Sequence, residues 1–233
     1  GNTNVLFSNY VTSTPYPAFV AEVTATGTSA TMTPVIPPGQ AVVSGDLMVV
    51  DDRYGSNPTV SVSGFTAVGS TVADATNLYM SVFSKVAVGG ETNAVLTSSS
   101  SASHQAQLLV IRGLNSPVLD VSDSATNGAG TTTTLSTGSG VTNTAIPAFA
   151  MAYWGAQNVS NPAISFTNSF QQAKTSIAGQ SANYSAFKPL TSLASQTSTL
   201  TTTSNMGRAI GRMIVFKGTP VVGGNYRFLF VQY

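Results

Sequence analysis

Residues 212–218 read RMIVFKG, and residues 107–113 read QLLVIRG. Each is an apolar run, then one cation, then glycine. Such a short run without polar alternation suits a central strand covered on both faces. The same strand ending written twice, far apart, implies two related halves.

The surrounding order repeats as well. LMVVDDRYGSNPTVSVSGF (47–65) and FAMAYWGAQNVSNPAISFTNSF (149–170) both run apolar strand, polar turn, Ser-Asn-Pro, strand, then Phe. LYMSVFSKV (78–86) answers NYSAFKPL (183–190), and AVLTSSSS (94–101) answers STLTTTS (198–204). Pro58 and Pro162 stand 104 residues apart, Phe83 and Phe187 104, and Gly113 and Gly218 105. Landmarks that keep one offset predict an internal duplication.

The segments are short, rich in Val, Thr, Ile, Phe and Tyr, and punctuated by Gly, Pro, Asn and Ser, which is strand composition. The expected fold class is all-β: a jelly-roll-like β-sandwich built from two sequence-related halves, with extended terminal arms. The two halves are expected to share one core, with Ser/Thr strands facing solvent. The sandwich spans 18–218, with half-repeats at about 18–121 and 145–218. Residues 122–144 connect them, mostly as loop, with TTTTLST adding an edge strand. Residues 1–17 form an N-terminal arm and 219–233 a C-terminal strand or arm. The latter ends in YRFLFVQY, an apolar strand that needs covering.

Composition narrows the function. Among 233 residues, 7 % are charged, against roughly 25 % in an average soluble domain. Ser and Thr number 61 and supply most of the polarity. Nine Lys and Arg against eight Asp and Glu, scattered along the chain, offer no field for phosphate, so no nucleic-acid partner is expected. No cysteine is present, so disulfides and thiolate chemistry are excluded. The first residues, GNTNVLFSNYV, lack the basic and apolar regions of a signal peptide. No apolar run reaches the ~20 residues of a membrane-spanning helix.

Few residues suggest chemistry. His104, the single histidine, has no nucleophile-elbow motif to serve and reads as a solvated loop residue. Asp51 and Asp52 are neighbours and point to opposite faces of a strand. Asp120 and Asp123 share a segment that offers calcium a pair of oxygens, without the spacing of a calcium loop. No catalytic, cofactor or metal residue is assigned. Tyr153 and Trp154 are adjacent, so one is expected in the core and the other exposed. Trp154 reads as core, with Tyr54, Tyr153 and Trp154 as the alternative glycan contacts. Asn158 and Asn183 begin N-x-S sequons.

IPPGQAVVSGDLMVV (36–50), GFTAVGS (64–70), LYMSVFSKVAVGGE (78–91) and LLVIRGL (108–114) together resemble a β-sandwich module of tailed-bacteriophage virion proteins and bacterial surface proteins. Gly45, Asp46 and Leu47 match its Gly-Asp-Leu motif. Gly64 and Thr66 match Gly-Trp-Thr, with Phe65 replacing Trp. Lys85, Val86 and Ala87 match Lys-Val-Ala. Arg112 and Gly113 match Tyr-Arg-Gly, with Ile111 replacing Tyr. The resemblance covers about residues 30–218 and implies a non-enzymatic virion or surface structural role. The expected function is a capsid decoration (cement) protein, displayed on the virion and assembled in host cytoplasm. Its partner is the major capsid protein or another virion protein, and the chain is homo-oligomeric or lattice-bound. The contact candidates lie in the arms: Val5, Leu6, Phe7, Tyr10, Tyr226, Phe228, Leu229 and Phe230. The alternative is a receptor- or carbohydrate-binding module of a tail fibre or surface adhesin.

Overall fold

The structure, a computed structural model, describes residues 17–74, 77–127, 131–157, 159 and 162–219. All eight contact candidates of the arms lie outside the described residues. No helix long and apolar enough to cross a membrane occurs among the described residues.

The first half contains β1 (Ala18–Gly27), β2 (Thr31–Met32), β3 (Leu47–Gly55), β4 (Val60–Val62), β5 (Thr66–Ala67), β6 (Val72–Ala73), β7 (Leu78–Val86), β8 (Leu96–Ser98) and β9 (His104–Arg112). The second contains β10 (Val118–Asn127), β11 (Thr132–Ser136), β12 (Val141–Thr142), β13 (Ala148–Gln157), β14 (Ile164–Phe166), β15 (Gln171–Ala178), β16 (Ser181–Leu190), β17 (Ser195–Gln196), β18 (Thr199–Met206) and β19 (Arg208–Lys217).

One large sheet has the order β1-β9-β3-β7-β5, with β6 also on β7; the other is β10-β19-β13-β16-β15. In each, the first strand lies beside the last, and the last beside a central strand. Two three-stranded sheets, β2-β8-β4 and β11-β18-β14, complete the plan, with a short β12-β17 ladder. Strands that alternate between two packed sheets in this order wind as a jelly roll. A bulge also recurs: β1 slips against β9 between Phe19 and Ala21, and β10 against β19 between Leu119 and Val121.

The sheets stack in four layers with three cores. Between the large sheets, Leu47, Val49, Met80 and Leu109 meet Phe149, Met151, Ile214 and Phe216. On the outer face of the first, Met48, Val50 and Leu108 pack with Met32, Val62 and Leu96 of the small sheet. On the outer face of the second, Ala152, Trp154 and Met213 pack with Leu135, Leu200 and Met206. One shared core was expected; each half adds its own. The strands β3, β9, β13 and β19 carry apolar stretches without polar alternation because neither face meets water. The Ser/Thr strands form the outer sheets, where Leu96 and Leu200 turn inward and Thr97 and Thr201 face solvent.

Two expectations need correction. Residues 122–127 are not loop: they continue β10, which takes in the second sheet the place β1 has in the first. The backbone groups of β19 on that side need a ladder partner, and an edge strand tolerates polar side chains. Phe83 and Phe187 sit on corresponding strands, yet Phe83 faces the outer core and Phe187 the inner one. A one-residue slip of register turns a side chain to the other face.

Close approach of the layers depends on glycine. Gly211 of β19 lies directly under β11, where a Cβ would fall on the Ser136 carbonyl oxygen and stand 3.2 Å from the Thr137 Cα. These are backbone atoms and cannot swing aside. Gly211→Ala is therefore expected to cost about 1–3 kcal/mol through overpacking. A urea midpoint equal to that of wild type would show that β11 can lift without cost.

Candidate functional site

The three aromatic candidates for glycan contact are all buried, which corrects that expectation. Tyr153 points between the large sheets, its hydroxyl donating to Met151 Sδ at 3.2 Å. Trp154 points the opposite way, donates Nε1–H to the Leu135 carbonyl at 3.0 Å and stacks on Phe166 at 5.1 Å. Tyr54 stacks on Tyr79 at 5.6 Å and its hydroxyl meets Ser81 Oγ at 3.0 Å. Adjacent strand residues do point oppositely, but here both faces are covered, so alternation exchanges one core for another. Freeing a buried aromatic to stack on sugar would forfeit roughly 4–6 kcal/mol of burial.

His104 is likewise not a loop residue. It opens β9, fully buried, with Nδ1 2.7 Å from Asp52 Oδ2. Asp51, on the other face of β3, accepts from Asn183 Nδ2 at 2.5 Å. Asn183 of the second sequon is therefore interior. An acid–base pair acts on a substrate only within hydrogen-bond reach of it, and Asp52 and His104 both have fully covered side chains.

Asp51 and Asn183 belong to a polar seam that crosses the inner interface. Asn183 Nδ2 also donates to the Gln105 carbonyl at 2.9 Å, and Gln107 Nε2 donates to the Asn183 carbonyl at 2.8 Å. Ser185 Oγ donates to Gln107 Oε1 at 2.6 Å. Arg212, on β19, donates to the carbonyls of Ser70 and Val68 in the first half. Arg53 is buried against Gly155; burial pulls its guanidinium down to about 10, opposed by Asp52 and Asp74. The network is satisfied only in part: the Arg53 guanidinium, the Gln105 side-chain amide, Asp51 Oδ1 and Asn183 Oδ1 are buried without a hydrogen-bond partner among the described residues. Its closed bonds favour this register over others. No signal in the one-dimensional pattern marked Gln105, Gln107, Asn183 or Ser185 as partners, because the pairs are 76 to 132 residues apart.

The surface feature with functional promise is one pole of the stack, where β3 and β13 begin and β9 and β19 end. The described chain enters and leaves there: Thr219 N–H donates to the Asn115 carbonyl at 2.7 Å and Gly218 N–H to the Pro147 carbonyl at 2.9 Å. The motifs of the resemblance converge on the same pole. Arg112 binds Asp46 through two bonds of 2.9 and 2.8 Å, joining the Arg-Gly and Gly-Asp-Leu motifs. Lys85 lies over the Phe65 ring at 5.5 Å and pairs with Glu91 at 3.0 Å. Burial works against the Glu91 charge, but the Val88 and Gly89 N–H groups and Lys85 outweigh it and hold its carboxyl at about 2.

Lys217, the cation of the second strand ending, pairs with Asp120 at 3.0 Å, and Asp120 also accepts from Thr144 N–H at 2.7 Å. Asp123 accepts from Ser124 and Gly140 N–H and from Ser139 Oγ. The two aspartates offered to calcium thus face separate sets of protein donors, and no cluster of three or more His, Cys, Asp or Glu that could hold a metal occurs among the described residues.

Every exposed large apolar side chain among the described residues lies at this pole or on the loops leading to it. Val43, Val86 and Val88 surround it in the first half, and Val118, Leu119, Ile146 and Leu193 in the second. Val35 and Val95 stand where the first small sheet approaches it. A cleft of about 300 Å³ opens among them, lined by Val43, Asp46, Arg112, Leu114, Pro147 and Thr219. A second, polar cleft of about 550 Å³ runs along the edges of the large sheets, between residues 69–73 and 122–126, with Arg212 at its side.

Burial pushes Asp51 well above the ordinary aspartate value of 3.8, although Asn183 favours its charge. The folded chain then keeps a proton that the unfolded chain releases as pH rises past about 4, so Asp51 lowers stability with rising pH. Asp51→Asn keeps an acceptor for Asn183 and removes this dependence. Its stability relative to wild type is expected to grow as pH rises above about 4 in urea titrations. Parallel curves for the two proteins would show Asp51 ionised in the fold.

No family model, curated protein or solved structure matches this chain.

Proposed function

We propose that the chain is a non-enzymatic virion structural protein, a decoration (cement) protein that binds the capsid lattice of a tailed bacteriophage. The observation that carries this reading is the pole: both terminal segments depart where the exposed apolar side chains gather. The sequence motifs resembling phage virion modules meet at the same place. The remaining surface is polar but nearly uncharged, which suits display on a particle. In this reading the arms reach the major capsid protein or another virion protein, and the rigid stack of sheets projects outward. No nucleic acid or membrane is engaged.

The second reading is a receptor- or carbohydrate-binding module of a tail fibre or adhesin. Its support is the polar cleft, whose hydroxyls from Ser70, Thr71, Ser122, Ser124 and Thr126 offer sugar-like hydrogen bonding. The burial of Tyr54, Tyr153 and Trp154 removes its aromatic platform.

Mass spectrometry of purified particles is expected to find the chain at a fixed ratio to the major capsid protein. A chain ending at Thr219 is expected to unfold at the wild-type midpoint and to be lost from particles. Absence of the full chain from particles overturns the proposal, and retention of the shortened chain overturns the role of the C-terminal arm.

A further inference from the structure

We infer that the apolar pole is a self-association surface, and that its occupant is a second copy of this chain. The inference rests on the pole being an interface, as proposed above, and adds the identity of the partner.

Side-chain exposure comes first. Val88 is 80 % exposed and Leu193 59 % exposed, on the two halves of one surface. Large apolar side chains left in water singly are ordinary, but their concentration on one end marks an interface. The opposite pole carries none among the described residues.

Charge selects the partner. Three ionic pairs around the pole close within the chain, Asp46 with Arg112, Lys85 with Glu91, and Asp120 with Lys217, and Lys188 lies over the Phe170 ring at 5.9 Å. Like charges set against each other oppose association. A surface whose acidic groups are all paired within the chain, as they are here, meets its own copy with little repulsion. A strongly acidic or basic partner would find no complementary field here.

Chain length agrees. Sixteen residues precede Pro17 and fourteen follow Thr219. The latter include Val221, Val222, Phe228 and Phe230, so the sequence that continues from the pole is itself apolar. Association at the pole also gathers the arms of several copies, which raises their joint hold on a lattice through effective concentration.

The test uses the full chain in analytical ultracentrifugation with three variants: Val88→Asp, Leu193→Asp and, at the opposite pole, Asn57→Asp. Wild type and Asn57→Asp are expected to sediment above the 23.9 kDa of one chain. Val88→Asp and Leu193→Asp are each expected to weaken association about tenfold or more, with urea midpoints equal to wild type at dilutions where wild type is a single chain, which shows that they fold. Association is expected to persist when salt rises, because an apolar contact is not screened.

Wild type that remains a single chain at about 100 µM, a concentration at which a contact of that Kd or tighter would be populated, overturns the inference. Assembly unaltered by both pole substitutions overturns it equally. The virion reading fails separately: a chain that is monomeric in solution yet present on particles keeps that reading and sinks this one, and the reverse result does the opposite.

Discussion

The face-to-face packing of two large sheets, each already roofed by a small one, is the constraint on which the rest depends. It leaves β3, β9, β13 and β19 without a solvent face. Most side chains on them then fit a core or find a polar partner inside. That is why they carry long apolar stretches, why Gly155 and Gly211 stand where a Cβ would meet the facing layer, and why Trp154 ends under a carbonyl of β11.

The same constraint accounts for the polar residues that interrupt the runs. Asp51, Asp52, Arg53, Gln105 and Gln107 lie in the distal part of β3 and β9 and are all buried. In such a place, isolated charge costs more than any packing gain returns. Asn183 and Ser185 from the opposite sheet answer Asp51 and Gln107, and His104 from the neighbouring strand answers Asp52. The Arg53 guanidinium and the Gln105 side-chain amide are buried without a hydrogen-bond partner among the described residues. Arg212 adds a tie from β19 to the carbonyls of Val68 and Ser70. The stack is thus apolar toward the pole and hydrogen-bonded toward the other end. The polar part sets the register of the two halves, and the apolar part supplies adhesion.

At the pole, the ionic pairs neutralise one another and the apolar side chains remain uncovered. This combination separates it from the rest of the surface, whose polarity comes from hydroxyls. The functional reading and the self-association both draw on that contrast, and neither needs a reacting group.

Much of the architecture was legible in one dimension. The period of the apolar runs, the Pro and Gly punctuation and the repeated strand ending carry all-β structure. These are local properties, set by side-chain shape and by neighbours a few residues away. The partners of the strand cations, Asp46 for Arg112 and Asp120 for Lys217, came only with the fold. What covered each face was decided only by tertiary structure. Tyr153 and Trp154 look like one inside and one outside until a third layer is present. His104 looks solvated until Asp52, 52 residues away, reaches it, and Asn183 looks like a surface sequon until Asp51, 132 residues away, accepts from it. Residues 122–127 look like linker until the open edge of β19 requires a strand. Hydrogen-bond partners and burial are properties of pairs distant in the chain, and no local pattern encodes them.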